Sequence, residues 1–225
     1  MTDEEAQAAP ATDATSEDPR DIFVAAKLGD LATVQEFAEI DGFEVDKTTD
    51  GRYPRTALSI ACEHGHSHVA KYLLERGADP ERDNKNWKIL MTPLHWAARR
   101  RGQVEVVNSL VTALGGGGHP NYKGKTALCM AAEKGHEEVV RIILENSTTG
   151  WGGSSWKLPL YIAAEKGNTA VVRLLLLHQT VHATSRDEKG RTPLFLAAQA
   201  GHHEVVELIA SVALTTPTKA RAERG

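Results

Sequence analysis

Cysteine is scarce, with only Cys62 and Cys129 in 225 residues. Both fall in apolar stretches where a small hydrophobe serves equally well, so no disulfide framework is expected. Aromatic residues make up 5% of the chain, and a core must therefore be mostly aliphatic. No run is long and apolar enough to span a bilayer. A strong charge of one sign is also missing: 26 Lys and Arg against 30 Asp and Glu leave a formal charge of -4. That balance gives no whole-protein attraction to nucleic acid or to an acidic membrane. The start, Met1-Thr-Asp-Glu-Glu, lacks the basic residues and apolar run of a secretory signal and is too acidic for a mitochondrial transit peptide. A reducing location, cytoplasmic or nuclear, is the expectation.

What the chain does have is repetition, which decides the fold ahead of any local propensity. A Thr or Pro start, Leu, a pair of small residues, Gly, then Val-Val and a run of Leu or Ile return along the sequence. Aligned on Gly29, Gly65, Gly102, Gly135, Gly167 and Gly201, the copies are separated by 36, 37, 33, 32 and 34 residues. The pattern is clearest in Thr92-Pro-Leu-His-Trp-Ala-Ala98 and Thr192-Pro-Leu-Phe-Leu-Ala-Ala198, followed by Gly-Gln-Val-Glu-Val-Val107 and Gly-His-His-Glu-Val-Val206.

These segments resemble the ankyrin repeat, whose period is about 33 residues and whose hallmark is Thr-Pro-Leu-His-x-Ala. The resemblance runs from about Asp21 to Leu214 in six copies. It implies an all-α solenoid of stacked helix-turn-helix units with hairpin loops along one edge. The expected units are an N-terminal capping repeat at 21–49, repeats at 50–82, 83–119 and 120–150, an irregular repeat at 151–185 and a C-terminal repeat at 186–214. An acidic disordered tail, 1–20, and a basic one, 215–225, flank them.

Each part of the motif has a physical reason. Thr56, Thr92, Thr126 and Thr192 offer a hydroxyl to orphan amides at a helix start, and Pro93 and Pro193 suit the first helical position. The pairs Ala61-Cys62, Ala97-Ala98, Ala131-Ala132, Ala163-Ala164 and Ala197-Ala198 let neighbouring helices approach closely. The glycine closes the first helix in a left-handed conformation. The second helix then buries sets such as Val139, Ile142 and Ile143 at helical spacing.

Several stretches depart from this pattern. Arg52-Tyr53-Pro54-Arg55 expands the second hairpin and Trp87 to Met91 the third, and Arg99-Arg100-Arg101 lengthens one turn between helices. Gly115 to Gly118 makes a flexible link, while Asn146 to Ser155 replaces the regular fifth hairpin. Leu158 stands where the fifth unit should have its capping Thr.

Catalytic constellations fail on inspection. The Gly-rich run ending Gly124-Lys125-Thr126 looks like a phosphate loop, but the glycine required five positions before Gly124 is His119. His64, His66 and His68 cluster without a cysteine or carboxylate at metal-site spacing, and His66 fills the Gly-His turn position shared by His136 and His202. His95 matches the repeat's own histidine, which ties turns together. Cys62 and Cys129 occupy core slots, and Trp96 reads as core. No nucleophile or acid-base couple stands out. No catalytic residue, cofactor or metal is expected.

The resemblance instead implies a binding surface on the concave side, formed by hairpin tips and the exposed edge of each first helix. Those slots hold Arg52, Asn86, Lys88, Tyr122, Lys123, Lys125, Lys189 and Arg191 at hairpins, and Arg99, Arg100, Arg101, Lys134 and Lys166 on first helices. Trp87, Tyr122, Trp151 and Trp156 add aromatic anchors of the kind that dominate binding hot spots. Second helices carry Glu105, Glu137, Glu138, Glu204 and Glu207, so the small net charge conceals an asymmetry. The expected function is a non-catalytic adaptor or scaffold that binds a protein partner with an acidic segment. The other expectation is a regulatory subunit or inhibitor of an enzyme or transcription factor. No nucleic-acid or membrane partner is expected, and the protein alone should be a monomer. The acidic stretch Asp3 to Asp18 has a flexible reach of roughly 25 Å, which brings the basic surface within range of self-masking.

Overall fold

The computed structural model describes residues 21–50, 54–82, 91–116, 120–121, 124–146, 157–178 and 183–215. The two tail expectations fall outside these, apart from Thr215, which ends the last helix. Among the described residues there are twelve helices and no strand beyond a single antiparallel bridge, Thr48 with Thr56. The helices are α1 (Ile22–Leu28), α2 (Leu31–Ala38), α3 (Ala57–His64), α4 (Ser67–Glu75), α5 (Pro93–Arg99) and α6 (Val104–Leu114). They continue as α7 (Ala127–Lys134), α8 (Glu137–Asn146), α9 (Lys157–Lys166), α10 (Thr169–Leu177), α11 (Pro193–Gln199) and α12 (His203–Thr215).

Four of the first helices, α3, α5, α7 and α11, start at a threonine cap, and α1 starts at Asp21. The hydroxyls of Thr56, Thr126 and Thr192 accept from the amides of Ser59, Cys129 and Phe195 at 3.1, 3.4 and 3.2 Å. Thr92 differs, because its hydroxyl lies 2.9 Å from Nδ1 of His95 and its amide donates to the same nitrogen at 3.3 Å. The buried His95 ring thus forms one half of a capping box with Thr92. Its Nε2 donates onward to the Lys125 carbonyl at 3.1 Å, so one neutral side chain joins a helix start to the next hairpin.

Two parallel rows result. Helices α1, α3, α5, α7, α9 and α11 pack in succession, and α2, α4, α6, α8, α10 and α12 form a second row behind them. Close approach in the first row follows from the small pairs: Ala61, Cys62, Ala97, Ala98, Ala131, Ala132, Ala163 and Ala164 are all fully buried. The second row closes the core with branched side chains, among them Leu73, Val107, Leu110, Ile143, Val172 and Leu175. In α8 the buried set is Val139, Val140 and Ile143, with Ile142 only partly buried. Val140 therefore takes the place expected for Ile142. The fifth pair is as well packed as the others despite Leu158, since Leu160, Ala163 and Ala164 keep their core positions.

The last pair shows what a neighbour does. Phe195 occupies the slot in which Ser59, His95, Cys129 and Tyr161 are buried, yet it is 51% exposed, and Ala198 is exposed as well. The described chain places no further helix pair against α11.

Candidate interaction surface

Most of the turns between paired helices are locked by one residue from the following pair. Nε2 of His66 lies 2.9 Å from the Lys27 carbonyl, that of His136 3.1 Å from the Arg99 carbonyl, and that of His202 2.9 Å from the Glu165 carbonyl. Gln103 and Asn168 fill the same role, donating to the carbonyls of Cys62 and Ala132 at 2.9 and 2.6 Å. The C-terminal ends of the first helices are thus held in register. His68 donates its Nε2 contact to the Gly29 carbonyl, and Nδ1 of His64 faces the Ile60 carbonyl. The three histidines spend ring nitrogens on separate backbone carbonyls instead of converging, and no metal-binding cluster of His, Cys, Asp or Glu occurs among the described residues.

The hairpins close by a shared device. Asn121 donates its amide to the Lys125 carbonyl at 2.8 Å, and Asp187 does the same to Arg191 at 2.9 Å. The side chain that closes the hairpin then finds a carboxylate of its own unit. Arg55 pairs with Glu63. Lys125 Nζ lies 2.7 Å from Glu133, and Arg191 Nε lies 2.8 Å from Asp187. Burial raises the pKa of the Glu133 carboxyl, but the Lys125 hydrogen bond and charge, with the fields of Lys134 and Lys166, hold it below its usual value. Two of the expected contact cations, Lys125 and Arg191, are therefore already partnered within the chain.

Arg99, Arg100, Arg101, Lys134, Lys166 and Lys189 are exposed and form no ion pair among the described residues. All but Lys189 line the C-terminal turns of α5, α7 and α9. The helix dipoles alone favour cations there by about 0.3–1 kcal/mol each, which accounts for one residue per turn but not for the triplet at α5. Expected contact residues Arg52, Asn86, Trp87, Lys88, Tyr122, Lys123, Trp151 and Trp156 lie outside the described residues.

Trp96, expected in the core, packs against it but is only partly buried. The Arg55 guanidinium lies 5.0 Å and the Arg99 guanidinium 5.6 Å from its ring centroid. Its indole N–H is buried without a hydrogen-bond partner. The position is filled by buried Ile60, Met130, Ile162 and Leu196 in the second, fourth, fifth and sixth pairs. An i to i+3 spacing to Arg99 was the only sequence signal for it.

The second row is electrostatically different. Glu105, Glu138, Glu204 and Glu207 are exposed, and Arg141 is held between Glu137 at 3.1 Å and Glu138 at 3.7 Å.

A family model described as ankyrin repeats (3 copies) matches residues 22–117, 91–150 and 151–216. The chain belongs to the ankyrin repeat family. Its ankyrin segments are 38% identical over 105 residues to the sex-determining protein fem-1 of Caenorhabditis elegans, covering 40% of this chain and 15% of that protein. They are 32% identical over 116 residues to the protein fem-1 homolog A-like of Mus musculus, covering 52% and 17%. The ankyrin repeat domain-containing protein 63 of Mus musculus is 35% identical over 102 residues, covering 44% and 24%. The matched region thus spans a quarter or less of each of these relatives. Ankyrin repeats generally form extended surfaces that bind other proteins.

Proposed function

We propose that this chain is a non-catalytic adaptor or scaffold that binds a protein partner on the side formed by the hairpins and the first-helix row. One observation carries the reading: the turns after α5, α7 and α9 present Arg99, Arg100, Arg101, Lys134 and Lys166 unpaired among the described residues, while carboxylates are concentrated on the second row. Such a division attracts an acidic segment to one side and repels it from the other. The partner is accordingly a protein with an acidic stretch that runs across several first helices. The expected hairpin contacts Arg52, Asn86, Trp87, Lys88, Tyr122, Lys123, Trp151, Trp156 and Lys189 belong to the same proposed surface. Two free, buried thiols, Cys62 and Cys129, support a reducing cytoplasmic or nuclear location.

Affinity capture from the native cell, identified by mass spectrometry, tests the surface. Changing Arg99, Arg100 and Arg101 together to Glu should abolish capture of the partner. Changing Glu137 and Glu138 to Lys on the second row should leave it intact. Undiminished capture by the triple variant would refute the placement.

A further inference from the structure

The position directly after each small pair runs Lys27, Glu63, Arg99, Glu133, Glu165 and Gln199 along the first-helix row. In the second and fourth units the residue that closes the hairpin supplies the matching cation, Arg55 to Glu63 and Lys125 to Glu133. The third unit inverts this arrangement. Met91, buried at 5% exposure, stands in the cation's place, and Arg99 stands in the carboxylate's. Half of the ion pair that neighbouring units complete internally is missing here.

Arg99 is nevertheless held at both ends. Its carbonyl accepts from Nε2 of His136 at 3.1 Å, and its guanidinium lies over the Trp96 ring. A guanidinium held over a ring by a cation–π contact has less freedom left to lose on pairing. Arg100 and Arg101 have no such brace among the described residues.

We propose that Arg99, braced by Trp96, is a preorganised grip for a single carboxylate, an Asp or Glu side chain of the protein partner. The inference rests on reading this side as the interaction surface. A planar fork takes a carboxylate through two parallel hydrogen bonds. The same row already accommodates cation–carboxylate pairs on either side, at Glu63 and Glu133.

The test needs no partner. The Nε–H signals of the arginines and the indole N–H signal of Trp96 are followed by NMR while a capped Gly-Glu-Gly tripeptide is added to the full chain. The Arg99 and Trp96 signals should shift together, with the Arg99 shift several-fold larger than those of Arg100 and Arg101. Capped Gly-Gln-Gly should produce no shift. Trp96→Leu should reduce the Arg99 response to that of its neighbours, whereas Trp96→Phe, which keeps a ring, should preserve it. Backbone amide spectra confirm that each variant is folded. Equal shifts at all three arginines, no shift at all, or a stronger response to a phosphoserine tripeptide would overturn the proposal. A silent tripeptide alongside partner capture that is lost in the triple Glu variant removes the grip but leaves the surface reading intact. A specific response with capture retained by the triple variant would show that the partner does not use Arg99, and would overturn both the surface reading and the assignment of the grip to the partner.

Discussion

The His202 ring lies directly against Gly167, so close that a β-carbon on the glycine would come within 2.6 Å of the ring's Nδ1. Gly167 also has φ of 74°, in the left-handed region. Gly102 has φ of 80° but nothing within 4 Å of the equivalent point. The extra residue in the Arg99 to Arg101 turn has moved this glycine away from the next unit. Gly102→Ala should therefore cost only the left-handed conformation, about 1–2 kcal/mol, whereas Gly167→Ala should cost about 1–3 kcal/mol more through displacement of the ring. Urea unfolding of the two variants measures the difference. His202→Ala should relieve part of the Gly167→Ala defect and none of the Gly102→Ala defect.

Ala131 is fully buried in the first-helix row, between α5 and α9. Ala131→Leu adds a side chain where the helices have no space, at a cost of about 1–3 kcal/mol or more. In a chain stabilised by nearest neighbours, hydrogen exchange should accelerate in α5, α7 and α9 before α1. Uniform acceleration throughout the chain would argue for one indivisible core.

His95 is neutral in the fold, with Nδ1 accepting from Thr92 and Nε2–H donating to Lys125. Burial, opposed by the Lys125 hydrogen bond, pulls its pKa from 6.5 to about 4. Between these values the unfolded chain binds the proton and the folded one does not. The contribution of this group is complete above pH 6.5, falls as the pH drops towards about 4, and does not decline further below that. The loss is on the order of 3 kcal/mol. Stability measured against pH should fall in that window for the wild type and fall less for His95→Gln.

Cys62 and Cys129 are fully buried. Burial, partly offset by the charge of Arg55, pushes the Cys62 thiol up to about 12. The Cys129 thiol is raised by burial against the opposing hydrogen bonds of Thr126. Neither is a thiolate at neutral pH, and neither is accessible. An aromatic disulfide reagent should react with both only after denaturant is added. Rapid labelling of the native protein would show that the row opens at α3 or α7.

The repeating elements were legible because their signals are local. Threonine caps, small pairs and turn glycines each act within a few residues, and among the described residues the small pairs fall inside first helices, as in α9, where Leu158 breaks the motif. The histidine turns were legible for the same reason. The exposed face was read less fully. That Lys125 and Arg191 would be neutralised depends on a hairpin folding back along its own unit, and the Lys125 to Glu133 separation of eight residues is no helix spacing. Trp96 was read as core because it sits within a first helix, and it does pack against the core, though half-buried. Its contact with Arg55, 41 residues earlier, exists only once two units are stacked.

Hydrogen-exchange footprinting of the captured complex tests the binding surface most directly. Protection should concentrate on the C-terminal turns of α5, α7 and α9, around Arg99 to Arg101, Lys134 and Lys166, with α4, α6 and α8 unchanged. Protection confined to α4, α6 and α8 would contradict it.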